Sequence, residues 1–215
     1  MTTSTRWTVA VMAVVVALGA ALWTQLGGDE SQPGSTGLGT SRDRRDADTA
    51  EALAEPRASA DLMPCPTTGV GEGPQALRGI ILECAGDGSS VDVAKAVAGR
   101  TVVLNLWAYW CAPCAQELPA MAEYQRRVGS EVTVLTVHQD ENETAALLRL
   151  AELGVHLPTL QDGRRRIAAA LKVPNVMPAT VVLRANGSVA AILPRSFADA
   201  DEIAAAIDPE LGEPG

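Results

Sequence analysis

The 215 residues carry a formal net charge of −9, four cysteines and an apolar fraction of 47% that rests mainly on Ala, Val and Leu. That length allows one medium domain plus appendages. The acidic balance argues against nucleic acid, whose phosphates need a basic face, and the cysteines are too sparse for a small disulfide scaffold.

The first predicted element is an apolar run. Residues 1–5 are polar, Arg6 is basic, and residues 7–26 are almost continuously apolar, a length that spans a bilayer as a helix. Trp7 and Trp23 lie near its ends, where interfacial Trp is favoured. Arg6 and the amino terminus precede it and Asp29 and Glu30 follow, so the positive-inside rule puts the N-terminus in the cytoplasm and the rest outside. Residues 1–27 therefore read as a single-pass anchor in the cell membrane. A cleaved signal peptide, with secretion of the remainder, is the alternative: the strongly apolar part, 9–21, is short, and Gly19-Ala20-Ala21 has the small residues of a cleavage site.

Residues 28–60 hold Gly, Ser, Thr, Asp, Arg and a few Pro, with little apolar periodicity. Such a stretch buries too little surface to offset its ordering entropy, and it reads as a flexible linker with a short helical patch at 49–53. The folded domain is expected over 61–210, followed by a tail at 211–215.

Within the domain, residues 80–84 and 91–93 flank the turn formers Ala-Gly-Asp-Gly-Ser-Ser and read as a hairpin. Gly69-x-Gly71-x-Gly73 lies among Thr and Pro and reads as irregular loop, not a phosphate cradle. Residues 101–107, Thr-Val-Val-Leu-Asn-Leu-Trp, are apolar and β-branched and predict a buried strand; 112–128 are spaced as a helix. A second strand is expected at 131–138. Asn142 can cap a helix running to Leu153, with Gly154 as its stop. A shorter helix is expected at 163–172. Two strands, 180–184 and 188–193, flank the Asn186-Gly187 turn signal, and 199–207 closes as a helix. This order implies a mixed α/β sheet with helices on both faces.

The chemistry sits where the buried strand meets its helix, at Trp110-Cys111-Ala112-Pro113-Cys114. A C-x-x-C pair can close into a disulfide and reopen. Cys111 is placed at a helix N-terminus, where unpaired N–H groups and the helix dipole stabilise a thiolate, the species that attacks disulfides. Half a zinc site is the competing reading, but the other candidate ligands, Cys65, Cys84, His138 and His156, form no second paired motif. No metal site or cofactor is expected. Cys111 is then the nucleophile and Cys114, one turn into the helix, the resolving thiol; a permanent disulfide is the bland alternative. Proline at position 113 fixes φ and starts a helix well.

The run Val-Val-Leu-Asn-Leu-Trp-Ala-Tyr-Trp-Cys-Ala-Pro-Cys, the continuation Glu117-Leu118-Pro119, the segment Val176-Met177-Pro178-Ala179-Thr180 and the hairpin Leu-Arg-Ala-Asn-Gly together resemble the thioredoxin superfamily, and within it the TlpA/ResA-like membrane-tethered thiol–disulfide oxidoreductases. The resemblance covers about residues 62–207 and implies a thioredoxin-like sheet with an added N-terminal β-hairpin. It implies that Pro178 is cis, faces the dithiol and, with Met177, offers backbone hydrogen bonds to a substrate chain. Trp110, Ala112 and Pro113 would shape the surface that the substrate meets, whereas Trp107 reads equally well as core. Glu117 is implied as a proton shuttle near Cys114, taking a task that thioredoxins proper give to a buried Asp where this chain has Asn105; a solvated surface Glu is the other reading. Cys65 and Cys84 read as a structural disulfide, with an electron-relaying second pair as the alternative.

The activity implied is an extracytoplasmic reductase of disulfides in exported proteins, apocytochrome c being the family's precedent, fed by a membrane thiol electron donor. The alternatives are a disulfide-forming oxidase of secreted proteins and, from another class, a copper chaperone binding metal through the same pair.

Overall fold

The computed structural model describes residues 48–211. The predicted anchor, 1–27, and residues 28–47 of the predicted linker lie outside the described residues. Among the described residues no helix is long and apolar enough to cross a membrane.

A short helix α1 (Ala54–Ala60) and a 3-10 turn (Gln75–Leu77) precede the sheet. The order then runs β1 (Ile81–Cys84), β2 (Ser90–Asp92), α2 (Val93–Val97), β3 (Val102–Trp107), α3 (Ala112–Val128), β4 (Thr133–His138) and α4 (Glu143–Leu153). It ends with β5 (Thr159–Gln161), α5 (Arg166–Ala170), β6 (Ala179–Leu183), β7 (Val189–Leu193) and α6 (Ala200–Leu211). Seven strands form one mixed sheet in the order β2-β1-β5-β4-β3-β6-β7. β3 lies between β4, which it pairs in parallel, and β6, which it pairs antiparallel. The N-terminal hairpin β1–β2 extends this sheet because β1 pairs antiparallel with β5. This is the mixed sheet expected, with helices on both faces.

Alternation along β3 decides what each face packs against. Leu104 and Leu106 join Leu135, Val137 and Val181 under α2, α5 and the 3-10 turn. Val103 and Trp107 join Val134 and Val182 under α3, α4 and α6. All six β3 residues are buried, as the uninterrupted apolar run predicts. The helices are bounded by local signals. Asn142 accepts the Ala145 N–H at 3.0 Å at the start of α4. Gly154 ends α4 in the left-handed conformation, φ 61°, which glycine adopts without the cost a Cβ brings.

Four places differ from the sequence reading. The end of the predicted linker is folded: α1 lies within 28–60, and it begins where the helical patch predicted at 49–53 would end. Leu53 and Ala60 are buried with Ala85 and Leu147. The Arg57 guanidinium donates to Ala85 O at 3.2 Å, to Glu143 at 3.0 Å and to Glu83. These partners are remote in sequence, so no local pattern announces them. Second, Val93 starts α2 instead of ending a strand, because the Asp92 side chain accepts the Lys95 N–H at 3.3 Å and caps a helix there. Third, β5 has only three residues, too few for a period, and exists through its pairings with β1 and β4. Fourth, the helix expected at 163–172 shortens to α5, and that expected at 199–207 lengthens to Leu211.

Cys65 and Cys84 form a disulfide with Cα atoms 5.9 Å apart. It ties the segment ahead of the 3-10 turn to β1. For a sequence separation of 19, the chain-entropy model gives about 3 kcal/mol. Replacing both residues by Ala should lower the unfolding free energy in urea by about that amount; an unchanged midpoint and slope would show that the bridge adds nothing to stability.

Candidate active site

The site is built at the carboxyl end of β3. After Trp107 the chain turns through Ala108, Tyr109 and Trp110, with the Cys111 N–H donating to Ala108 O at 3.0 Å. Cys111 is the N-cap of α3, and its Sγ accepts the Cys114 N–H at 3.3 Å. Cys111 and Cys114 are joined in a disulfide. Cys114 is fully buried and Cys111 is 5% exposed, so of the two residues only Cys111 keeps any accessible surface. Ala112 and Pro113 are exposed on the first turn of the helix. On reduction, the amide that now points at the Cys111 sulfur would stabilise a thiolate there, together with the positive end of the 17-residue helix.

Glu117 lies one turn beyond Cys114 and has no exposed surface, which removes the reading of it as a solvated surface carboxylate. Burial pushes its pKa from an ordinary 4.5 up to about 8, although the Asn105 side-chain amide and the Phe197 backbone amide favour the charged form. Asn105 Nδ2 donates to Glu117 Oε2 at 3.4 Å. Glu117 Oε1, Asn105 Oδ1 and Thr180 Oγ1 are buried without a hydrogen-bond partner among the described residues. Asn105 and Thr180 face each other across β3 and β6. The helix carrying the dithiol thus covers a face of the sheet on which these polar groups lie among apolar ones.

The Met177–Pro178 peptide bond is cis. Ala179 pairs with Leu106, so register puts Pro178 beside the loop that leads to Cys111. Met177 packs against the cluster that holds Trp107, Cys111 and Cys114, while Val176 and Trp110 are 45% and 58% exposed. Exposed apolar side chains therefore lie on the two segments that border the dithiol. Trp107 itself is fully buried and belongs to the core.

His138, which in the sequence is only a candidate ligand without a paired motif, supports the loop in front of Cys111. His138 ends β4 beside Trp107 in the parallel register, and the two rings lie 4.9 Å apart. Gln161 Oε1 can only accept, so at 2.8 Å it fixes the proton on Nδ1. Nε2 then accepts the Tyr109 N–H at 3.4 Å. Burial lowers the His138 pKa and keeps the ring neutral for this role. Next to it, Asp140 Oδ2 accepts the Trp110 Nε1–H at 3.1 Å. The signal that could have found these residues is topological: in a sheet with parallel neighbours, sites form at the carboxyl ends of adjacent strands. Cys65 and Cys84 form their own disulfide and pack in the cluster on the other face of the sheet.

The Redoxin family matches residues 60–204 of the chain. The thioredoxin-like protein YneN of Bacillus subtilis is 40% identical over 33% of this chain and 39% of its own length. The thiol-disulfide oxidoreductase ResA of the same organism is 30% identical over 44% of this chain and 53% of its own. The chain thus spans about half the length of these curated relatives, or less. Among solved structures, a secreted thiol-disulfide isomerase from Corynebacterium glutamicum superposes with a TM-score of 0.56 at 25% identity, covering 64% of this chain and 86% of that one.

The raised pKa of Glu117 has a consequence for stability. Between its unfolded value of 4.5 and its folded value of about 8, the folded chain holds a proton that the unfolded chain has released. Stability from this group is therefore fully present below pH 4.5 and is lost as pH rises through about 8. Glu117→Gln should be more stable than the parent at pH 8.5, by on the order of a few kcal/mol, with the gap narrowing toward pH 5. Urea titrations of the oxidised protein across this range test it, and a gap independent of pH would refute it.

Proposed function

The chain belongs to the Redoxin family, as a TlpA/ResA-like protein of the thioredoxin superfamily, and on that premise we propose that it is an extracytoplasmic thiol–disulfide oxidoreductase that reduces disulfides in exported proteins. The observation that carries this reading is the Cys111–Cys114 disulfide at the start of α3, with Cys114 fully buried, Cys111 the less buried of the two, and a carboxyl whose pKa burial raises to about 8 one turn further along the helix.

In the reaction, the Cys111 thiolate attacks one sulfur of a substrate disulfide. That bond breaks, the departing substrate sulfur takes a proton, and a mixed disulfide remains on Cys111. The ionised form of Glu117, a minority below its pKa of about 8, takes the proton of Cys114; the Cys114 sulfur then attacks the Cys111 sulfur, and the departing substrate sulfur takes that proton and leaves as the second thiol. The substrate gains two electrons and two protons, and the protein ends in the disulfide form. A carboxyl with a pKa of about 8 matches an ordinary thiol, at about 8.5, so the transfer costs little. Trp110, Met177, Ala112 and Pro113 form the rim on which the substrate chain lies, with Pro178 presenting the backbone beside it.

Two features support an extracytoplasmic place. Residues 7–26 have the length and flanking charges of a membrane anchor, and a structural disulfide at Cys65–Cys84 persists in an oxidising compartment. A reductase there needs electrons from a membrane thiol donor. The proline at 113, where the strong oxidants of the superfamily more often carry histidine, favours reduction, with apocytochrome c as the model substrate.

Cys114→Ser should accumulate mixed disulfides through Cys111, resolved by mass spectrometry of acid-quenched cells, and Cys111→Ser should accumulate none; the reverse pattern overturns the assignment of roles. The direction follows from the reduction potential of the pair. A value near about −250 mV or lower supports a reductase, and one near about −120 mV makes disulfide formation the task.

A further inference from the structure

Two loops lie beside the dithiol loop. Residues 139–142 join β4 to α4. They are tied to the dithiol loop by Trp110 Nε1–H on Asp140 and by the Gln139 N–H on Trp107 O at 2.8 Å. Residues 171–178 join α5 to β6 and end in the cis Met177–Pro178 bond. The side chain of Arg165 connects the two. Its Nε–H donates to Gln139 Oε1 at 2.9 Å, and Nη1 donates to Asn175 Oδ1. Gln139 is buried and Asn175 is exposed, so the guanidinium runs from the base of one loop to the rim of the other.

The backbone at Arg165 lies at φ 55°, ψ 36°, in the left-handed region. A side chain with a Cβ is disfavoured there and glycine is not. The start of α5 does not require arginine. Its first amides are capped by Asp162, which accepts Arg166 N–H at 2.9 Å and Ile167 N–H at 2.8 Å, and the Arg165 side chain makes no cap. The neighbouring arginines have other surroundings: Arg166 donates to Ile81 O, and Arg164 is exposed. Asp61 and Lys172 share such a backbone conformation; what sets Arg165 apart is that its side chain spans the loops on which a substrate chain would lie. A planar fork can hold two oxygens at once in a way that an ammonium cannot.

We propose that Arg165 is a positioning residue that sets the spacing between the 139–142 loop and the Met177–Pro178 loop, and so the fit of a polypeptide disulfide at Cys111. This rests on the thiol–disulfide reading above. A small disulfide that reaches only the sulfur should depend less on that spacing.

The test uses the full chain in mild detergent, reduced beforehand, and follows its oxidation by stopped-flow Trp fluorescence with insulin and with oxidised glutathione. Arg165→Gly should melt at or above the parent temperature. Its half-saturating insulin concentration should rise about tenfold, with the limiting rate changed by less than about twofold. Its rate with glutathione should fall by a smaller factor than its insulin kcat/KM. Arg164→Ala, at the exposed neighbour, should match the parent in all of these. Insulin saturation equal to the parent's overturns the proposal, as does a drop in melting temperature with parallel slowing on both disulfides. A parent chain that neither disulfide oxidises would instead refute the redox reading itself.

Discussion

β3 is hydrogen-bonded along its length on both sides and buried at all six of its residues. Its position cannot be adjusted without breaking the core on both faces of the sheet, so the point where it ends is fixed. That end is Trp107, and within a few residues the chain must become α3. The abrupt change from strand to helix leaves Cys111 as an N-cap with a backbone amide on its sulfur. The reactivity proposed for Cys111 rests on this geometry, since a helix start supplies both the donor and the favourable end of the dipole. A cysteine placed two turns later on the same helix would have neither.

The same burial that makes the frame rigid sets the proton chemistry. α3 must cover the sheet to form the core, and in doing so it carries Glu117 down onto Asn105 and Thr180. A carboxyl with no exposed surface and one oxygen unpartnered holds its proton to about pH 8. Glu143 offers a comparison. It too is buried, but the Arg57 guanidinium lies 3.0 Å away, and its pKa rises only to about 7. Burial sets the direction in both. Glu143 also links the fold's beginning to the site's surroundings. It heads α4, directly after the loop bearing Asp140, and Arg57 of α1 holds it there together with Glu83.

Much of this was legible in the residues. The β-branched run, the C-x-x-C pair, the Asn142 cap, the Gly154 stop and the Asn186-Gly187 turn each act over a few residues. Short-range patterns record such features faithfully, because the forces that make them are short-range. The disulfide partners Cys65 and Cys84 could be paired by elimination once Cys111 and Cys114 were taken together. By contrast, α1 lies in a stretch whose polar, small-residue composition reads as linker. It folds because Leu53 and Ala60 find Ala85 and Leu147, and because Arg57 finds Glu143, 86 residues away. β5 is a strand through two neighbours, not through its own three residues.

By itself, then, the sequence determined where the candidate groups of the site lie: two thiols at a strand-to-helix junction, and a glutamate one turn beyond the second. Local geometry and residue type suffice for that. Only the tertiary structure decided how the site is held. His138 became the support for Tyr109 because β4 lies parallel to β3, Asp140 the partner of Trp110 because it follows β4, and Arg165 the bridge between two loops because β5 delivers it to that edge. These contacts join residues 26 to 30 positions apart, and no window along the chain contains both partners within one element. What a residue is belongs to the sequence. What it touches is set by the packing of elements that meet only on folding.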